Sequence, residues 1–299
     1  MSDDVKTEIS LMTSLLINKL VFLVTVKKAF GKALLSRHAL VAFAALLMCG
    51  FSSLVTAQTP LSSKPALVAA AANLQQVLVE LVPLFEREQK GKISLSIGSS
   101  ANLVRQIQQG LPAEIFMSAD EDFALRLADA GLSQDRGVVY ATGRLVLAVP
   151  AASALKLDPQ LQGLRAGLGQ IEKFAIANPE LAPYGKAAVQ ALQKLNVWSA
   201  LQPKMVLGEN IAQTTQYLST GAAQAGMTAL SLVLAPEVAS RLRYVLIPQD
   251  LHAPLRQRMV LLKNASPQAV QFYAFLQGEP ARKIFQRYGF STDKVAVTQ

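Results

Sequence analysis

Ala66-Leu67-Val68-Ala69-Ala70-Ala71-Ala72-Asn73-Leu74 decides the fold class. Ala66 to Ala71 reads as a small-residue strand. Asn73 then opens a helix in which Leu74, Val77, Leu78, Leu81, Val82 and Phe85 fall at the i, i+3, i+4, i+7 spacing of one buried face. The period changes from strand to helix across one polar residue, which is the start of a β-α unit. Pro83 lies inside the predicted helix and is expected to kink it.

The unit recurs. Residues 92–97 alternate as a strand, Gly98-Ser99-Ser100 turns, and 101–109 is helical with Leu103 and Ile107 on one face. Further strands are predicted at 114–118, 144–149, 173–177, 204–207, 223–228, 243–247 and 258–262, with helices beginning near Asp120, Tyr184, Asn210 and Ser266. This alternation predicts an α/β fold. No repeat of about 20 to 50 residues is present, which argues against a solenoid. At 299 residues the chain can form one large or two ordinary domains, and its 51% hydrophobic and 16% charged composition excludes a disordered or fibrous chain.

Upstream of Ala66 the pattern differs. Lys27, Lys28, Lys32, Arg37 and His38 precede an uncharged apolar run at 39–51, followed by small and polar residues and Val55-Thr56-Ala57-Gln58. A positive flank, a short apolar core and small residues at a cleavage position make a secretory signal, and the run is too short for the roughly 20 residues of a spanning helix. Residues 1–57 therefore read as a leader removed on export, with a second apolar stretch at 11–26 lying upstream of a normal signal. Cys49 follows Leu46-Leu47-Met48, and the bulky Met disfavours a lipid-modified cysteine. Removing 1–57 takes six of the 29 Lys and Arg and three of the 20 Asp and Glu, so the net charge falls from +9 to +6; the only Cys and one of two His go with them. The remainder has no thiol and one imidazole, His252, which excludes structural zinc, iron-sulfur clusters and cysteine catalysis.

Catalytic motifs are mostly absent. There is no G-x-S-x-G elbow, Gly91-Lys92-Ile93 lacks the spacing of a phosphate loop, and Gly167-x-Gly169-x-x-Glu172 precedes a strand where a dinucleotide fingerprint follows one. His252, in Asp250-Leu251-His252-Ala253-Pro254, reads in two ways: a general base oriented by Asp250, or a solvated or structural residue beside an X-Pro turn. No basic run with interleaved aromatics follows Lys64, so nucleic acid is not a predicted partner.

Polar residues gather instead at strand-to-helix junctions: Asn73, Ser99 and Ser100, Asn178-Pro179 leading to Tyr184-Gly185, and Glu209-Asn210-Ile211. Such junctions expose unpaired backbone N–H groups and the positive end of a helix dipole, which suits an anion. Ordinary N-capping accounts for Ser and Asn at each position taken singly.

Six segments in this order carry a resemblance: Ala69-Ala70-Ala71-Ala72-Asn73-Leu74, Gly98-Ser99-Ser100-Ala101-Asn102-Leu103, Leu111-Pro112-Ala113-Glu114-Ile115-Phe116-Met117-Ser118-Ala119-Asp120, Asn178-Pro179-Glu180-x-Ala182-Pro183-Tyr184-Gly185, Gly208-Glu209-Asn210-Ile211 and Arg287-Tyr288-Gly289-Phe290. Together they resemble the molybdate-binding periplasmic proteins of molybdate ABC transporters, over residues 66–290. The resemblance implies an α/β, two-lobed type II periplasmic binding protein fold with its ligand in the cleft between lobes. Lobe 1 would comprise 66–147 plus 256–299 and lobe 2 148–255, with crossovers near 145–150 and 254–262. Carried over by position, the oxyanion contacts are Asn73, the Ser100 hydroxyl, Tyr184, and Ile211 through its backbone N–H. These touch molybdate or tungstate through its oxygens, with no direct metal ligation. Some members have a serine at the position of Asn73 and a small residue at that of Tyr184, and others place a ligand tyrosine where this chain has Ala229. The resemblance further implies an exported periplasmic monomer with no catalytic residue and no cofactor, whose partner is a membrane permease. The alternatives are a receptor for sulfate or another tetrahedral oxyanion and, from another class, an exported hydrolase using His252.

Overall fold

A computed structural model of the chain describes residues 64–89 and 91–292; the leader, Cys49 and the expected cleavage site lie outside these residues. Among the described residues ten strands form two five-stranded sheets. β1 (Ala66–Ala71), β2 (Ile93–Gly98), β3 (Ile115–Met117), β4 (Val138–Gly143) and β10 (Leu255–Leu261) make the first, in the order β2-β1-β3-β10-β4. β5 (Leu145–Pro150), β6 (Phe174–Ala177), β7 (Met205–Gly208), β8 (Ala225–Ala229) and β9 (Leu242–Leu246) make the second, in the order β7-β6-β8-β5-β9. The plan is the same in both: three parallel strands, then a fourth that runs antiparallel and carries an antiparallel edge strand.

The chain leaves the edge strand β4 of the first sheet and, after Arg144 alone, becomes the fourth strand of the second. It returns between Leu246 and Leu255, again from an edge strand to a fourth strand. A lobe boundary at 147/148 would cut β5, whose residues Leu145 to Pro150 all pair within the second sheet, so the first crossover falls at Arg144. Leu255 pairs with Gly143 in the first sheet and belongs with lobe 1.

Parallel strands covered on both faces need apolar side chains throughout, and β6 and β8 are buried along their whole length. Close strand spacing selects small residues as well: a Cβ on Gly226 would lie 2.3 Å from the carbonyl oxygen of Ala175. In the first lobe the helix Gln75–Gln89 buries Val77, Leu78, Leu81 and Phe85, and Phe85 meets Phe272 edge-on at 4.9 Å between ring centroids. That helix runs through Pro83 without a break, and the residue whose carbonyl loses its partner, Val79, is 59% exposed, so water can satisfy it. The strand β4 and the helix Glu279–Arg287 are elements the sequence pattern did not single out.

Candidate functional site

β1 and β2 end side by side, Ala71 beside Gly98, and so do β6 and β7, Ala177 beside Gly208. Asn73 and Ser99-Ser100 therefore leave one sheet together, while Asn178 to Tyr184 and Asn210-Ile211 leave the other together. Contacts tie the two sets across the lobes. The N–H of Ala101 donates to the carbonyl of Leu181 at 3.1 Å, Asn102 Nδ2 to Glu209 Oε1 at 2.9 Å, Ser231 Oγ to the carbonyl of Asn73 at 2.7 Å, and Gln257 Nε2 to Tyr184 Oη at 3.2 Å.

Asn73 is fully buried in a short 3-10 turn, Ala72–Leu74, that joins β1 to its helix. Its Nδ2 donates to Gln257 Oε1 at 3.0 Å, and its Oδ1 has no partner. Ser99 holds the N-cap position of the helix Ser100–Gln108 yet makes no capping bond, and its hydroxyl, 2% exposed, is likewise unpartnered. Ser100 is the first residue of that helix; its Oγ accepts the N–H of Ala119 at 3.2 Å, which leaves the hydroxyl proton uncommitted. Ordinary capping thus fails for both serines. It holds at Asn210, whose Oδ1 accepts the N–H groups of Ala212 and Gln213 at 3.0 and 3.1 Å and leaves that of Ile211 outside the cap.

Tyr184 is the second residue of the helix Pro183–Lys194 and is 1% exposed. Its ring enters the space beside Gly143, where a Cβ would lie 2.1 Å from the phenolic oxygen. Burial pushes the Tyr184 hydroxyl well above the ordinary tyrosine range, and that of Tyr140 as well, so both stay protonated and able to donate. Ile211 is buried at the start of the helix Ile211–Ser219. All four sequence-predicted residues thus belong to one set of linked junctions, and none of their donors is a Lys or Arg side chain. Ala229 ends β8 fully buried, one residue before the helix that carries Ser231.

Sequence reasoning missed Gln257, Tyr140 and Ser231. Gln257 was discoverable: in Leu255-Arg256-Gln257-Arg258-Met259 the alternation puts it inward with Leu255 and Met259, and a polar residue on the apolar face of a strand is a signal. His252 is structural, not solvated. It is 6% exposed, its Nδ1 sits 2.8 Å from the carbonyl of Ala253, and burial lowers its pKa. The carbonyl of Asp250 accepts from Lys194 Nζ at 2.5 Å. Among the described residues, no group of three or more His, Cys, Asp or Glu is placed to hold a metal ion.

The profile of the family described as bacterial extracellular solute-binding protein matches residues 66–291. The chain is 34% identical over 237 residues to the molybdate-binding protein ModA of Rhodobacter capsulatus, covering 78% of this chain and 91% of that one. It is 34% identical over 226 residues to that of Azotobacter vinelandii, covering 75% and 88%. Among solved structures, the Azotobacter vinelandii periplasmic molybdate-binding protein superposes with a TM-score of 0.69 at 30% identity, over 75% of this chain and 98% of that one.

Proposed function

The chain belongs to the bacterial extracellular solute-binding proteins, and from that premise we propose that it captures molybdate, and tungstate with it, between its two lobes and delivers the anion to the membrane permease of an ABC transporter. The observation that carries this reading is that four strand-to-helix junctions, linked across the lobes, bring neutral polar groups and no Lys or Arg side chain: the Asn73 side chain, the Ser100 hydroxyl, and the main-chain N–H groups of Tyr184 and Ile211, with Ser99 beside them. A tetrahedral dianion offers about eight lone-pair sites, and N–H and O–H donors at helix starts fill them without a buried cation. Charge held by dipoles, and not neutralised by a salt bridge, favours release to a transporter.

The protein acts as a monomer that binds and hands over its ligand without transforming it. Residues 1–57 direct it to the periplasm and are removed. Among the described residues the chain crosses between the lobes at Arg144 and between Leu246 and Leu255, and two such crossings make closure a hinge motion. Bonds such as Asn102 to Glu209 and Ala101 to Leu181 belong to the closed form, and the anion stabilises that form by adding contacts from both lobes.

Isothermal titration of the purified protein with molybdate, tungstate, sulfate and phosphate tests the reading. Molybdate and tungstate are expected to bind one to one and the other two far more weakly. Sulfate, with shorter oxygen bonds, leaves donors unpaired at about 1–3 kcal/mol each. Equal affinity for sulfate and molybdate would reject the assignment.

A further inference from the structure

The buried polar chain between the lobes has more contacts than its protons can serve in one of two possible arrangements. Tyr140 Oη lies 3.0 Å from the carbonyl oxygen of Ser118 and 2.9 Å from the near end of the Gln257 amide. A phenol has one proton, so if that near end is Oε1, one of the two oxygen–oxygen contacts has no hydrogen between its atoms. The same end of the Gln257 amide is 3.0 Å from the Asn73 amide, and its other end is 3.2 Å from Tyr184 Oη. Which end of a primary amide is nitrogen is decided by the hydrogen bonds around it.

Turning both amides over gives each of the four contacts its own proton. The Tyr140 hydroxyl then donates to Ser118, Gln257 Nε2 donates to both Tyr140 Oη and Asn73 Oδ1, and the Tyr184 hydroxyl donates to Gln257 Oε1. The consequence falls on Asn73, whose remaining amide atom is fully buried and unpartnered. In the first arrangement that atom is a carbonyl oxygen, which repels an anion. In the second it is an NH2 group, which binds one.

We propose that Gln257 is a positioning residue that sets the polarity of Asn73: held through Tyr140 by the carbonyl of Ser118, it keeps the Asn73 carbonyl turned inward and its amide donor turned toward the oxyanion. The register shift between Gln257 and Arg258 in the β10–β4 pairing lies at this residue, and bulges of this kind re-aim side chains beside binding sites. Gln257 is itself fully buried, so neither end of its amide has water as an alternative partner. Tyr184 then serves the ligand through its main-chain N–H, its phenolic proton being held between the Gln257 and Asn73 amides. This inference rests on the oxyanion reading given above.

The test combines titration calorimetry with side-chain amide NMR on the full protein, using molybdate as the probe. In the wild type the Asn73 NH2 resonances, assigned by their loss in Asn73→Ala, are expected to shift on adding molybdate. Tyr140→Phe touches no ligand, yet it frees Gln257 to turn over and is expected to weaken binding about tenfold or more. Melting curves show whether the variant folds; should it not, the wild-type spectra decide alone. Affinity within about threefold of wild type in folded Tyr140→Phe, or Asn73 resonances that molybdate leaves unmoved while it binds, would overturn the proposal. Wild-type protein that binds none of the tetrahedral oxyanions would overturn the oxyanion reading, and this inference with it.

Discussion

Gly143→Ala is the sharpest perturbation of the linked junctions. Gly143 does not use the left-handed backbone region, so alanine suits its conformation and the effect is steric. The added Cβ would lie 2.1 Å from Tyr184 Oη and 2.5 Å from Gln257 Nε2. Both side chains are buried, so neither is a flexible tip that can swing into solvent. Overpacking of this sort costs about 1–3 kcal/mol, and pushing the two groups apart leaves buried polar atoms unpaired at about 1–3 kcal/mol more. The sum, roughly 2–6 kcal/mol, lowers Tm by roughly 4–24 °C at about 2–4 °C per kcal/mol for a protein of this size. Because Gln257 also holds Asn73, molybdate affinity should fall by about 1.5–3 kcal/mol, which is about ten- to a hundredfold. Gly169→Ala is the control: nothing lies within 4 Å of a Cβ there, and both quantities should match wild type. Calorimetric melting and molybdate titration of the two variants make the comparison. Wild-type Tm and affinity in Gly143→Ala would refute the placement of the Tyr184 hydroxyl and the reasoning built on it.

Three further outcomes are expected. Ser100→Ala removes the acceptor of the Ala119 N–H, costing about 1–3 kcal/mol of stability, and removes a donor to a charged ligand, weakening molybdate binding about ten- to a hundredfold; reduced Tm with unchanged affinity would remove Ser100 from the site. His252 has a folded-state pKa below its unfolded value of about 6.5, so between the two the unfolded chain binds a proton the folded one does not, and stability falls as pH drops through that window. Melting of His252→Gln should lack that part of the slope as pH falls through about 6.5 and below, with affinity within a few-fold of wild type. Asn102→Ala removes the exposed bond to Glu209 across the lobes and should raise the dissociation rate of molybdate about two- to tenfold with little change in the association rate, as stopped-flow measurement would show.

The β-α alternation is legible because the cores of these units are local. Leu74, Val77, Leu78, Leu81 and Phe85 repeat at helical spacing, and all are buried in the first lobe. β4 is not legible, since Val138 to Pro150 forms a nearly unbroken apolar string, and only pairing with β10 on one side and β8 and β9 on the other splits it at Arg144. Two lobes follow from that split, so composition and periodicity do not yield them and the resemblance does. The junction residues are readable as polar breaks after strands. Whether each is a cap or a donor depends on partners far away in sequence, which is why Asn210 proves a cap and Ser99 does not. Gln257 lies 184 residues from Asn73 and 73 from Tyr184, and no local pattern links them.

The most direct measurement is a crystal structure of the molybdate complex with the metal located by its anomalous scattering. The account predicts one molybdenum site between the lobes, its oxygens within about 2.7–3.2 Å of the Asn73 amide, the Ser100 hydroxyl and the main-chain nitrogens of Tyr184 and Ile211. Molybdenum bound elsewhere, or held there by a Lys or Arg side chain in place of those donors, would contradict it.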